Sequence, residues 1–203
     1  MIQQGFTIHT RAHNERTGFA VFLSQYDGII STPIQSKQRL HYFTPYQIIR
    51  NGKRIVVQET LTGDHSLKGK KLYCGLYLNE LIYRFCKPKD PLPEIYECYA
   101  QALSQLRQLN TYDHILRKFE LSLITLSGYG MNIDSISTPY VAFSVDHGLT
   151  EAYQANQNTI PTEALLDIDN LDYNQERKSF FRHILNKLLS SNIQSRIFYE
   201  ELH

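Results

Sequence analysis

The 203-residue sequence has little of what secreted domains and most enzymes are built on. It has three cysteines, Cys74, Cys86 and Cys98, and no C-x-x-C pair. An odd number without that spacing indicates neither a disulfide framework nor a zinc site. Cys74 and Cys86 sit among Leu and Tyr at helical spacing and read as buried, inert thiols. No apolar run approaches the roughly 18–20 residues that span a bilayer, and the opening Met1–Gly5 has neither a charged n-region nor an apolar h-region. The chain therefore reads as soluble and cytoplasmic, with no membrane partner.

Catalytic signatures are missing as well. There is no H-E-x-x-H, no phosphate-cradling G-x-x-x-x-G-K-S/T and no G-x-S-x-G. His9 and His13 are four apart, but in a strand-like stretch where that spacing does not make a helix face. Asp167, Asp169 and Asp172 are the residue types a metal-dependent nuclease needs, yet such a group beside a helix end is more often solvated surface. The expectation is a binding protein rather than an enzyme, with no cofactor and no metal.

Net charge is also nearly absent, at +1, but this conceals an asymmetry. Residues 1–80 carry ten Lys/Arg against five Asp/Glu, and residues 81–203 carry eleven against fifteen. A basic N-terminal part joined to an acidic one suggests that one end meets a polyanion; chance partition of surface charge is the alternative. The reversal falls at Leu72–Phe85, where Leu72, Leu76, Tyr77, Leu81 and Phe85 are spaced as one helix face. Before this stretch the chain reads as strands and turns, after it as helices.

Five short strands are expected in the first 60 or so residues: Gly5–Arg11, Gly18–Ser24, Ile29–Ile34, Thr44–Arg50 and Arg54–Leu61. Gly18–Ser24 is apolar nearly throughout and suits a central strand, whereas Pro33 argues that its strand is an edge or bends. Asn51-Gly52 is the strongest hairpin signal in the chain. A small closed barrel of the oligonucleotide-binding (OB) type fits five such strands. Its cations, Arg11, Arg16, Lys37, Arg39, Arg50, Lys53 and Arg54, are interleaved with Tyr26, His41, Tyr42, Phe43 and Tyr46. Cations neutralise phosphates and exposed rings stack on bases, at about 1–3 kcal/mol per base. The plainer reading puts Phe43 and Tyr46 in the core and leaves Lys53 and Arg54 to solvate a hairpin tip.

Beyond the Pro-rich stretch Cys86–Glu94, Pro93 opens a helix with the stripe Ile95, Tyr99, Ala102, Leu103, Leu106. A further helix, with Asp113 as its expected cap, runs to Gly128-Tyr-Gly130. Tyr140–Val145 reads as a short strand, and Tyr173–Leu189 as a helix with a basic flank of Arg177, Lys178, Arg182 and Lys187. The expected class is thus α+β, with a five-stranded OB-fold domain over residues 1–66 and an all-α domain over 67–203.

Three stretches together resemble the bacterial DNA repair protein family RecO. They are Gly5-Phe-Thr-Ile-His-Thr-Arg followed by Glu15-Arg-Thr17, Leu72-Tyr-Cys-Gly-Leu-Tyr-Leu-Asn-Glu-Leu81, which is close to the family's Y-x-G-L-Y-x-N-E-L, and Leu116-Arg-Lys-Phe-Glu-Leu121 leading to Gly128-Tyr-Gly130. Phe43-Thr-Pro45 and Gln194-Ser-Arg196 also match, in the right order. The resemblance implies an OB-fold followed by a helical domain, and a recombination mediator. Such a mediator binds single- and double-stranded DNA, anneals complementary strands, works with RecR and helps load RecA on strands coated with single-stranded-DNA-binding protein (SSB). It implies a nucleoid-associated place and a pocket for the acidic SSB tail at Arg117, with Lys118, Leu121 and Ile124 beside it; a guanidinium fork suits a terminal carboxylate. An Arg117 paired with Glu120 is the plainer alternative. The sequence departs from the family pattern twice. Met131–Pro139 lacks the paired zinc cysteines of many members, and the long basic segment after the second strand is cut to Ile29–Phe43, with only Lys37 and Arg39.

Overall fold

A computed structural model describes residues 1–35, 38, 40–52, 54–59, 65–88, 90–132, 135–168, 171–189 and 193–195. It divides into two compact units, one of Met1–Gln108 with residues 193–195, the other of the described part of Leu109–Asn192. This division follows packing, whereas a boundary at residue 66 follows the change from strand to helix.

The first unit is built on an antiparallel sheet of β1 (Ile2–Ala12), β2 (Thr17–Ser24), β3 (Gly28–Gln35), β4 (Pro45–Asn51) and β5 (Arg54–Glu59), in the order β3-β2-β1-β4-β5. The Asn51-Gly52 turn joins β4 to β5 in the expected register, Asn51 opposite Arg54. The apolar β2 is internal and the strand holding Pro33 is an edge, where the missing N–H costs no ladder bond. β1 pairs β4 through Ile2–Phe6 and β2 through Gly5–Ala12, with a register shift between Thr7 and His9. One long, bulged strand shared in this way bends the sheet as an OB-fold requires. The sheet is not closed into the expected barrel: the β3–β5 pairing that would close it is not formed among the described residues.

Its two faces have different cover. Ala20, Phe22, Ile30, Tyr46 and Ile48 form the core on one side. On the other, α1 (Lys70–Phe85) and α2 (Pro93–Gln108) are laid down, and Phe6 meets the rings of Tyr96 and Tyr99 at 5.4 and 5.2 Å. α2 begins at Pro93 with Glu94 in its first turn, as its dipole favours.

The second unit contains α3 (Asp113–Ile124), β6 (Tyr140–Ser144), β7 (Gly148–Ala152), β8 (Thr159–Pro161), α4 (Glu163–Leu166) and α5 (Asn174–Leu188). Asp113 lies in the first turn of α3 rather than capping it; Tyr112 is the cap residue. A π turn over Thr125–Tyr129 follows, containing Gly128 at φ 88°. The all-α description needs an addition, because β7-β6-β8 make a small sheet. Val141, Phe143, Leu149 and Ile160 from that sheet pack with Phe180, Phe181 and Ile184 of α5. Arg177 does not belong to an exposed basic flank. It is fully buried and donates to the carbonyls of Ile168 and Tyr173, fixing the turn that leads into α5. No helix among the described residues is long and apolar enough to cross a membrane.

Candidate nucleic-acid interface

The alternation of β1 and β2 decides which side chains remain outside. Phe19, Val21 and Leu23 share the face that α1 and α2 cover at its Leu23 end. Toward the β1–β2 turn the helices stop and the same face is open. Arg11 stands opposite Phe19 there, and Phe19 opposite Pro33. Phe19 is 41% exposed although it sits in an apolar run, and its ring meets His13 edge-on at 5.8 Å. Tyr83 of α1, 52% exposed, lies over His9 with ring centroids 5.2 Å apart. The turn beyond is held by Asn14, whose Oδ1 accepts from the Arg16 and Thr17 N–H groups at 2.9 and 2.8 Å and from the Thr17 hydroxyl at 3.0 Å. Arg11 and Arg16 are both exposed. Four rings and the Arg11 guanidinium thus fall at this open end of the sheet, a ledge with the exposed Arg16 in the turn beyond. Flat faces for bases and cations for phosphates are the chemistry that single-stranded nucleic acid needs.

The other expected cations are distributed differently. Arg50 is half-buried and pairs with Asp27 at 3.4 Å. Lys37, Arg39 and Lys53 lie outside the described residues, as does the side chain of Arg54. Of the expected aromatics, Phe43 and Tyr46 are core residues, and Tyr42 is half-buried with its hydroxyl 3.3 Å from that of Thr10. Tyr26 is 53% exposed, but on the turn at the other end of β2. Sequence reasoning therefore missed Phe19 and Tyr83. The signal for Phe19 was its place in the period-2 alternation, two residues from Val21, which an unbroken apolar run hides.

On α3, Arg117 is buried and its guanidinium lies 2.9 Å from the fully buried Glu120 carboxylate. Ile124 is fully buried in the core, Leu121 packs partly against it, and Lys118 is exposed. The two cations therefore differ: Arg117 neutralises a buried carboxylate, while Lys118 faces water. Among the described residues no three His, Cys, Asp or Glu side chains gather as a metal site requires; Asp169 is outside them.

The helix α1 shows what the shared stretches do. Gly75 lies where an added Cβ would come within 2.7 Å of Phe43 and of Leu67. Asn79 is buried, donating to the Ile8 carbonyl of β1 at 3.1 Å and accepting from the Tyr99 hydroxyl of α2 at 2.5 Å. Burial pushes the Tyr99 hydroxyl well above its ordinary pKa, so it stays a donor. Glu80 accepts from the Gln194 and Ser195 N–H groups at 2.9 and 2.8 Å and from the Ser195 hydroxyl at 2.7 Å, and pairs with Arg84 at 2.5 Å. Burial pushes its carboxyl upward, but these donors and the Arg84 charge outweigh that and hold it below the usual carboxylate range.

The family model described as Recombination protein O C terminal matches residues 67–138, which covers α1, α2 and α3. Three proteins carrying the name DNA repair protein RecO are similar over longer stretches. That of Paraburkholderia xenovorans is 27% identical across 92% of this chain and 72% of its own length. Those of Aliivibrio salmonicida and Nitrosospira multiformis are 34% and 31% identical across 64% and 65% of this chain, and 60% of their own lengths. The chain is similar to RecO proteins over most of its length. RecO homology supports a role in DNA repair and recombination, and the match spans only about three-fifths of the length of the latter two relatives. Within the first unit, four of the stretches that carry the resemblance touch one another. Phe43 lies on Gly75, Asn79 on Ile8, and Glu80 on Ser195. They form the frame that holds the sheet to its helices, and the open ledge is a product of that frame.

Proposed function

We propose that this RecO-like chain is a recombination mediator. It binds single- and double-stranded DNA, anneals complementary strands and, with RecR, helps RecA load on SSB-coated single strands. The observation that supports DNA binding is the ledge, where Arg11, Phe19, Tyr83 and the two histidines fall at one open end of the sheet, with Arg16 in the turn beyond. It lies beside the β1–β2 turn, a part of the OB-fold suited to oligonucleotides. Lys37, Arg39, Arg50, Lys53 and Arg54 extend the cationic surface in this reading. The SSB tail docks on the exposed side of α3 at Lys118 and Leu121, with Arg117 and Ile124 supporting them from beneath. The partners are those of a DNA repair pathway, and the mechanism is positional: two strands held by phosphate and base contacts meet without covalent chemistry.

The test is annealing of complementary oligonucleotides, bare and SSB-coated, by the wild type and by Arg11→Ala/Phe19→Ala. The variant should anneal bare strands at least tenfold more slowly, since base stacking and phosphate contacts each contribute about a kcal/mol or more. If the wild type binds the SSB tail but neither binds nor anneals DNA, the chain is an adaptor docking SSB and RecR, and the mediator reading fails.

A further inference from the structure

We propose that a glutamine-lined cleft at the start of β1 takes a single unpaired nucleobase; this deepens the DNA-binding reading above and rests on it. The cleft, of about 380 Å³, is lined by Ile2, Gln3, Gln4, Gln25, Tyr26 and Gln47. That volume is near the low end of ligand pockets, which run from about 300 to 1,000 Å³, and suits a small flat group. Among the described residues no charged side chain lines it. The Asp27 carboxylate beside Gln3 is already engaged by the Gln3 amide at 2.5 Å and by Arg50. Gln3 also accepts from the Tyr26 N–H at 2.8 Å, so the turn that presents the Tyr26 ring is fixed from below.

The lining excludes most ligands by its chemistry. It offers no cation for a phosphate, no carboxylate or imidazole for a metal, and too much amide for a purely apolar group. It does offer the amides of Gln25 and Gln47, each with a donor and an acceptor, and the Gln4 amide N–H, whose Oε1 accepts from the Tyr96 hydroxyl at 3.4 Å, beside the exposed Tyr26 ring and the exposed Ile2 side chain. A donor–acceptor edge with a stacking face is the complement of a nucleobase. An extended peptide fits less well. Gln47 pairs with Gln4 on one side and Gln58 on the other, and the Gln4 carbonyl accepts the Gln25 N–H at 3.0 Å. A peptide finds no open strand edge at these glutamines, so recognition falls to side chains. The cleft is at the opposite end of β2 from the ledge, and it holds a base the ledge does not reach.

Hydrogen bonding is separated from stacking by comparing oligothymidine with an oligonucleotide of the same length carrying difluorotoluene, which has thymine's shape and little of its hydrogen bonding. The wild type should bind oligothymidine about five- to tenfold more tightly. Gln25→Ala/Gln47→Ala should lose that preference and keep the affinity for the isostere, which also reports that the variant is folded. Oligonucleotides carrying 5-iodouracil should photo-crosslink to Tyr26. Equal wild-type affinity for the two oligonucleotides, a preference that survives in the variant, or crosslinks that avoid Tyr26 would each overturn the assignment. So would saturable binding of a glutamine-rich peptide that the variant loses, without any thymidine preference. Failure to bind either oligonucleotide is a different result, for it sinks the mediator reading itself.

Discussion

Arg117 and Lys118 are neighbours in the chain with opposite surroundings, and a substitution at each should separate structure from docking. Removing Arg117 leaves Glu120 fully buried without the cation 2.9 Å away, and breaking a buried pair in this way costs about 3–5 kcal/mol. Arg117→Ala should therefore lower the urea midpoint sharply. Lys118→Glu lies on the surface, where substitutions usually stay within about 0.5 kcal/mol. It should leave the midpoint in place while weakening an acidic, aromatic-terminated peptide. An Arg117→Ala variant as stable as the wild type would show that the buried pair contributes nothing. Glu80 provides a pH-dependent counterpart. Its carboxyl titrates below its ordinary value because the Ser195 and Gln194 donors and Arg84 outweigh the upward push of burial. Its contribution is complete at neutral pH and is lost as pH falls through that lowered pKa, below the ordinary glutamate value. Hydrogen-exchange protection of the Gln194 and Ser195 amides should fall over that range, and in Glu80→Gln it should be low already at pH 6. Equal protection in both proteins at pH 6 would remove the tether.

Among the elements, those with strong punctuation were legible. Asn51-Gly52 and Pro93 mark a turn and a helix start by local backbone chemistry. β7 and β8 were missed for the converse reason. Gly148-Leu-Thr-Glu-Ala does not alternate cleanly, and Thr159-Ile-Pro is too short to show any period; both are strands because β6 pairs them. The direction of a ring was also illegible. Phe43 and Tyr46 face inward and Phe19 outward through pairing register and the cover of α1 and α2, which composition does not encode. α1 illustrates a residue chosen for its neighbour. An added Cβ on Gly75 would collide with Phe43, and Phe43 cannot easily retreat: its φ is 66° and its carbonyl accepts from Arg107 at 2.7 Å. Gly75→Ala gains up to about 1 kcal/mol of helix propensity, against roughly 1–3 kcal/mol for overpacking. The net expectation is a loss of about 1 kcal/mol in denaturant unfolding; a gain would mean that Phe43 and Leu67 yield freely.

For the whole molecule, the proposed DNA binding should use few phosphate contacts rather than many, despite the charge asymmetry of the sequence. The excess of Lys/Arg in residues 1–80 suggested a polyanion partner, yet Arg50 is paired with Asp27, and among the described residues the exposed cations at the ledge are Arg11 and, in the turn beyond it, Arg16. Lys70 and Lys71, also counted in that excess, open α1 just after Lys68, and Lys71 donates to the Arg107 carbonyl at 3.1 Å. The salt dependence of binding reads this difference directly, because each neutralised phosphate of a single strand contributes about −0.7 to the slope of log K against log salt. Two ledge cations with two or three more from the shortened segment and the β4–β5 turn give a slope of about −3. The measurement is oligothymidine affinity over a range of salt concentrations, for the wild type and for Arg11→Ala/Arg16→Ala, whose slope should be shallower by about 1.4. Base stacking does not release counterions, so the affinity that persists at high salt should fall with Phe19→Ala and Tyr83→Ala instead. A wild-type slope near −7, equivalent to about ten phosphates, would mean that the cations outside the ledge do most of the binding, and the interface would have to be moved to them.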